Sequence, residues 1–167
     1  MSTFYLCSLG SNLSPVKNVP AAIRQLLRYL PEIAISPVIE TAPTGMKSTL
    51  KFYNAVFWFE CEYDADEMKA TFNAIESQLG RDRMLPDSKT ADRTIDLDIL
   101  YAGPRVSLST LTLEDSYLEP LRPVLLGRRP TVPPITLVLD GMLFGDTACM
   151  IKALSRGFRR VPFPHRS

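Results

Sequence analysis

The sequence predicts an α+β sandwich, and three observations carry that prediction. Short β-rich runs at residues 4–9, 33–40, 52–61 and 94–101 are interleaved with two stretches of helical periodicity. The chain is 167 residues long, the size of one domain, so residues 1–167 are expected to form a single unit. Hydrophobic residues make up 46% and charged residues 22%, the composition of a globular protein with a real core.

Each element has a local reason. Residues 4–9 read as a buried strand stopped by the turn tripeptide Gly10-Ser11-Asn12. Val16, Val19, Ile23, Leu26, Leu27 and Leu30 then recur at three- and four-residue spacing, one face of a helix. Asn18 with Pro20 close behind puts the helix start near residue 18, because proline is tolerated only in the first turn. Residues 33–40 form a strand that Pro37 confines to an edge or a bulge. Residues 41–45, Thr-Ala-Pro-Thr-Gly, are a loop by composition, and 52–61 a central strand. Asp64 with Glu67 three residues on is a capping box. Behind it, Met68, Phe72, Ile75 and Leu79 make the stripe of a second helix that stops at Gly80.

Residues 81–93 are polar and aperiodic, a mobile loop. In 94–101, Ile95, Leu97 and Ile99 alternate with Asp96 and Asp98. Past Gly103, five prolines between 120 and 134 break up long elements, leaving a strand over 135–139 and a short terminal helix over 147–155. Strand, helix, strand, strand, helix, strand is the ferredoxin-like βαββαβ order, here with a C-terminal extension.

Charge and scarcity narrow the chemistry. Nineteen basic residues face 18 acidic ones, so a net charge of +1 gives no argument for nucleic acid or membrane binding. No apolar run approaches the ~20 residues that cross a bilayer, and the N-terminus lacks a leader pattern, so a cytoplasmic protein is expected. The one histidine, His165, lies near the C-terminus, which argues against histidine-based hydrolysis or zinc ligation. Cys7, Cys61 and Cys149 are far apart with apolar neighbours and read as buried free thiols. Arg156, Arg159, Arg160 and Arg166 read as a solvated tail.

The sharpest local feature is Arg93-Thr94-Ile95-Asp96-Leu97-Asp98. Period-two geometry sets both carboxylates on one strand face, their Cβ atoms ~6–7 Å apart. That suits oxygen ligation of Mg²⁺ completed by phosphate and water; a solvated strand face is the plain alternative. Arg81, Arg83, Lys89 and Arg93 lie in or beside the preceding loop, and Glu76 near the end of the helix. Cations beside metal-binding carboxylates suit a polyphosphate, whose charge both would share. No GxxxxGK[ST] cradle accompanies them. Phe52 and Asn54 share one strand face, an aromatic plate beside an amide; such a pair is either core plus edge amide or a reader of a flat heterocycle.

Taken together, Gly10-Ser11-Asn12-Leu13, residues 40–45 (Glu-Thr-Ala-Pro-Thr-Gly), Phe52-Tyr53-Asn54-Ala55-Val56, Ile75-Glu76, Leu79 through Arg83 and Arg93 through Leu100 resemble the hydroxymethyldihydropterin pyrophosphokinase family of folate biosynthesis. The likeness is collinear over residues 4–103; residues 104–167 diverge. It implies a monomer that transfers the terminal diphosphate of ATP to the hydroxymethyl group of a reduced pterin, releasing AMP. Asp96 and Asp98 would hold two Mg²⁺ ions, and Arg81 and Arg93 would steady the transferring group. Gly10, Thr41, Ala42, Pro43, Thr44, Phe52, Asn54 and Val124 would line the pterin site. Asn73, Glu76, Arg83, Ile99, Ser116, Tyr117 and Arg122 would form the nucleotide site, under a lid of residues 82–92.

Three departures stand out. Ser116 takes the place of an expected histidine, Val124 that of a phenylalanine covering the second pterin face, and Asp92 adds a carboxylate just before Arg93. An extra acid beside a polyphosphate counts against the reaction. The alternatives are a paralogue acting on a different pterin, a catalytically weak binding subunit with a folate-pathway protein partner, and an RNA-binding sheet.

Overall fold

The computed structural model describes residues 1–43, 49–81 and 92–163. It is an α+β fold whose strands all pair antiparallel. In chain order the first elements are β1 (Thr3–Ser11), α1 (Pro15–Tyr29), β2 (Glu32–Ile35), β3 (Ile39–Thr41), β4 (Phe52–Cys61), α2 (Ala65–Gln78) and β5 (Asp96–Gly103). They are followed by a 3₁₀ segment, Ser116–Leu126, then β6 (Leu137–Leu139), β7 (Met142–Phe144), β8 (Cys149–Ala153) and β9 (Phe158–Pro162). The main sheet runs β5-β1-β4-β2-β8-β9, with β3 pairing the other end of β4.

Alternation along β1 creates two apolar layers. Tyr5, Cys7 and Leu9 face the helices and pack with Val19, Ile23 and Leu26 of α1 and Met68, Phe72 and Ile75 of α2. Leu6 faces the other way, into a smaller cluster with Ile39, Val56, Leu113, Leu118, Leu121 and Val124. The helices thus occupy one face, and residues 113–126 cover part of the other. The front face of β1, β4 and β5 beyond that cover is where Gly10, Asn54 and Asp96 lie side by side in the pairing register.

The capping box of α2 forms as the sequence predicts. Glu67 N–H donates to Asp64 Oδ1 at 2.8 Å, and Asp64 N–H donates back to Glu67 Oε1 at 3.1 Å. α1 starts earlier than its sequence suggests, at Pro15. Proline needs no hydrogen bond at that first position, and Ser14 adopts a left-handed conformation (φ 44°) to turn the chain into it. Pro20 is therefore inside the helix, and Val16 is exposed rather than part of the buried stripe.

The strand expected over 33–40 is two strands. Between them the buried Ser36 hydroxyl accepts from Val56 N–H at 2.9 Å, while Ser36 N–H donates to Val56 O at 2.8 Å. Val38 then turns away to bond Gly145 and Ile135. The expected helix over 147–155 is instead strand β8, because Cys149 and Ile151 alternate into the core beside β2. Arg159 and Arg160 are correspondingly in β9, not in a tail. Arg160 donates to Asp146 Oδ1 at 2.6 Å and Leu143 O at 3.1 Å, tying the β6–β7 hairpin to the sheet edge. His165 and Arg166 lie outside the described residues. Cys7 and Cys149 are buried free thiols, and Cys61 is half-buried.

Phe72 is 1% exposed and packs tilted against Phe57, with ring centres 6.0 Å apart. Phe72→Ala is expected to cost about 3–5 kcal/mol in urea unfolding. A loss below about 1 kcal/mol would show that α2 does not anchor on the sheet through this contact.

Candidate active site

The end of α2 delivers the first cation. Gly80, at φ 94°, lets the chain leave the helix in a Schellman turn: Gly80 N–H bonds Ser77 O at 3.1 Å, and Arg81 N–H bonds Glu76 O at 3.0 Å. Arg81 is thereby folded back over the residue that begins the turn. Its guanidinium donates to Glu76 Oε1 at 3.2 Å and to Asp96 Oδ1 at 2.7 Å. Glu76 is 1% exposed, and its second oxygen accepts Leu97 N–H at 2.8 Å. One buried carboxylate thus joins α2, Arg81 and the main chain of β5.

The second cation comes from the chain entering β5. Arg93 donates through Nη1 to Asp96 Oδ2 at 3.0 Å, and its guanidinium lies over the Phe52 ring, 5.9 Å from the centroid. Asp96 is held between two arginines that are themselves 7% and 11% exposed. Asp98 follows two residues on, partly exposed on the same face. Its negative charge reaches the back of the strand: burial first, then Asp98, pushes the Cys7 thiol far above its ordinary range. Cys7 is an inert core residue.

Beside the arginines lies a polar notch built by a glycine. A Cβ on Gly10 would stand 2.6 Å from Asn54 Oδ1, so only glycine leaves room for the amide to cross β1. Asn54 in turn donates through Nδ2 to Thr41 Oγ1 at 2.6 Å. Gly10, Thr41, Phe52 and Asn54 are therefore one contiguous wall, running into Arg93 and Asp96.

A family model described as 7,8-dihydro-6-hydroxymethylpterin-pyrophosphokinase matches residues 6–133. The chain belongs to this family. It is 35% identical over 117 residues to the 2-amino-4-hydroxy-6-hydroxymethyldihydropteridine pyrophosphokinase of Porphyromonas gingivalis, covering 68% of this chain and 79% of the relative. A protein of the same name from Pseudomonas aeruginosa is 34% identical over 103 residues, 59% of this chain and 61% of the relative. The folic acid synthesis protein fol1 of Pneumocystis carinii is 30% identical over 101 residues, 59% of this chain but 13% of that longer protein.

The other residues assigned from the family resemblance divide clearly. Tyr117 stands near the acidic pair, since burial and the charges of Asp115, Asp98 and Asp96 together drive its phenol well above its usual range. Ser116 is exposed at the start of the 3₁₀ segment. Arg122 Nε bonds Leu113 O at 2.8 Å, fixing the loop that carries Tyr117. Asn73 is exposed on α2, one turn before Glu76. The Ile99 side chain packs toward the helix-side core, so what it offers the edge of β5 is its main chain. Ala42 is exposed and Pro43 half-buried, next to Thr41. Val124 is buried with Leu6, Ile39 and Val56. It also borders a cleft of 1870 Å³ lined by Trp58, Met150 and Phe163, at the end of the sheet away from Asp96. Thr44, Arg83, Lys89 and, except for Asp92, the segment 82–92 expected to act as a lid lie outside the described residues.

The sequence reading missed the bonds of Asn12 to Asp92 and to the Arg93 amide, and Gly80 as the positioner of Arg81. The second was legible as glycine at a helix end followed at once by arginine.

Two outcomes test this construction. Glu76→Ala leaves a buried guanidinium without that partner and is expected to cost about 3–5 kcal/mol, with faster exchange of the Leu97 amide. Unchanged stability and exchange would remove Glu76 as the tie. Gly10→Ala is expected to shift the Asn54 side-chain amide resonances by displacing that group from Thr41; an unmoved signal would contradict the notch.

Proposed function

We infer that the face of Gly10, Asn54, Arg81, Arg93, Asp96 and Asp98 is where this chain carries out its family's reaction. Diphosphate passes from ATP to the hydroxymethyl group of 6-hydroxymethyl-7,8-dihydropterin, and AMP leaves. The observation that carries this reading is the pair of nearly buried guanidinia converging on one carboxylate at the edge of a polar notch. Such an arrangement holds cations where polyphosphate would lie and keeps them neutralised until it arrives.

The chemistry asks for positioning and charge neutralisation rather than acid–base catalysis. Arg81 and Arg93 exchange bonds to Asp96 for bonds to phosphate oxygens, which moves their charge onto the transferring group. The Asn54 amide and the Thr41 hydroxyl read the edge of the heterocycle, and Phe52 contributes an aromatic face. Asp96 and Asp98 fit magnesium: they are oxygen-only donors two residues apart on one strand face. Two carboxylates alone would hold such an ion only together with substrate phosphates and water. Bound there, magnesium would neutralise triphosphate charge. Phosphate binding would also release Asp96 from the arginines toward it.

The strand order β5-β1-β4-β2, with both helices on one face, supports a ferredoxin-like core. The added strands β8 and β9 extend that sheet on the side away from Asp96, which supports reading residues 1–167 as one domain. Among the described residues no helix is long and apolar enough to cross a membrane.

The test is AMP release from MgATP with and without the reduced hydroxymethylpterin. Pterin-dependent AMP is expected, and Asp98→Ala should lower the rate by at least about 100-fold while melting stays nearly unchanged. Wild-type protein that forms no AMP, or an Asp98→Ala variant of full activity, would overturn the assignment.

A further inference from the structure

Asp92 stands next to Arg93, and its charge alone should repel a polyphosphate. Its geometry gives it a different job. Asp92 Oδ1 accepts from Asn12 Nδ2 at 2.8 Å, and the other end of the same amide, Asn12 Oδ1, accepts Arg93 N–H at 2.8 Å. The main chain adds two more bonds, from Asn12 N–H and Leu13 N–H to Arg93 O, at 3.1 and 3.2 Å. Asn12 is 3% exposed, so water is poorly placed to replace a lost partner.

An asparagine amide can turn end over end with little change in shape, exchanging donor for acceptor. An ionised carboxylate only accepts and a backbone N–H only donates, so Asp92 and the Arg93 amide together permit one orientation. We propose that Asp92 and Asn12 form a positioning pair, in which the Asp92 carboxylate sets the Asn12 amide and the amide fixes the backbone from which the Arg93 guanidinium reaches Asp96. This rests on the reading of Arg93 as a group that binds the transferring phosphates. Its bond to Asp96 at 3.0 Å and its place over Phe52 both start from that pinned backbone. A shift of about 1 Å there is large enough to matter for catalysis.

The pair can be rewritten without changing its charge. Asn12→Asp alone sets two carboxylates against each other. Adding Asp92→Asn restores one donor and one acceptor in reversed order, with a carboxylate oxygen at position 12 still facing the Arg93 N–H. Steady-state rates of pterin-dependent AMP formation should show kcat lowered about 10- to 100-fold for Asn12→Asp, with KM for ATP and pterin within about threefold of wild type. The double variant should recover kcat to within about threefold.

Asp92→Ala separates positioning from simple charge. It removes a negative charge near the phosphates, so a purely repulsive carboxylate predicts a rate that rises or stays level. The positioning pair predicts a kcat about tenfold lower. Should Asn12→Asp fail to fold, Asp92→Ala and the double variant decide the matter. An active wild type with Asp92→Ala as fast or faster, or a folded double variant that recovers nothing, would overturn the pair and leave the pyrophosphokinase reading standing. A wild type without pterin-dependent AMP would overturn that reading, and the pair's catalytic role with it.

Discussion

Asp96 sits between Arg81 and Arg93, and the arrangement of the whole front face follows from keeping it there. Two guanidinia gathered on one carboxylate would repel each other if the acid were absent, and both are too deeply placed for water to screen that repulsion well. The three side chains come from the end of α2, the approach to β5 and β5 itself. Holding them together therefore requires that α2 lie against the sheet in one register, which the apolar layer of Phe72, Ile75 and Phe57 enforces. Burial on the back of the sheet and charge on the front are two sides of one constraint.

Glu76 shows how the constraint is made tight enough for chemistry. A hydrophobic stripe alone would let α2 slide by fractions of an ångström. A carboxylate that bonds both Arg81 and the Leu97 amide links the helix to the strand through short polar contacts with defined direction. Gly10 performs the complementary service by omission. Its missing side chain is the space in which Asn54 lies, so the notch exists because of what β1 lacks.

Much of this was readable in the order of residues. The capping box, both helical stripes and the Asp96–Asp98 alternation are local patterns, and local patterns survive folding. The early start of α1 was written in Ser14-Pro15, a proline at the first helical position, but Pro20, carried inside the helix, pointed to a later start. The region beyond residue 103 was harder for a physical reason. Strand β8, five residues long, gains its stability from pairing across the chain with β2, a contact that no window of sequence contains, and the equally short β9 forms only against β8. The candidate site residues were named by resemblance and by type; their partners were not. Nothing in a run of letters says that Asn12 meets Asp92 eighty positions away, or that Glu76 turns inward to a strand amide.

The Schellman turn at Gly80 has a consequence for how the protein responds to temperature. The last turn of a helix opens more readily than its middle, and a side chain attached there inherits that local opening. The backbone at Arg81 takes its place from two main-chain bonds at the end of α2, whereas the strands beneath it are held by the full pairing of β1 with β4 and β5. Heat should therefore dismantle the corner that holds Arg81, the one proposed to face phosphate, while the sheet is still intact, so that the molecule falls silent before it melts.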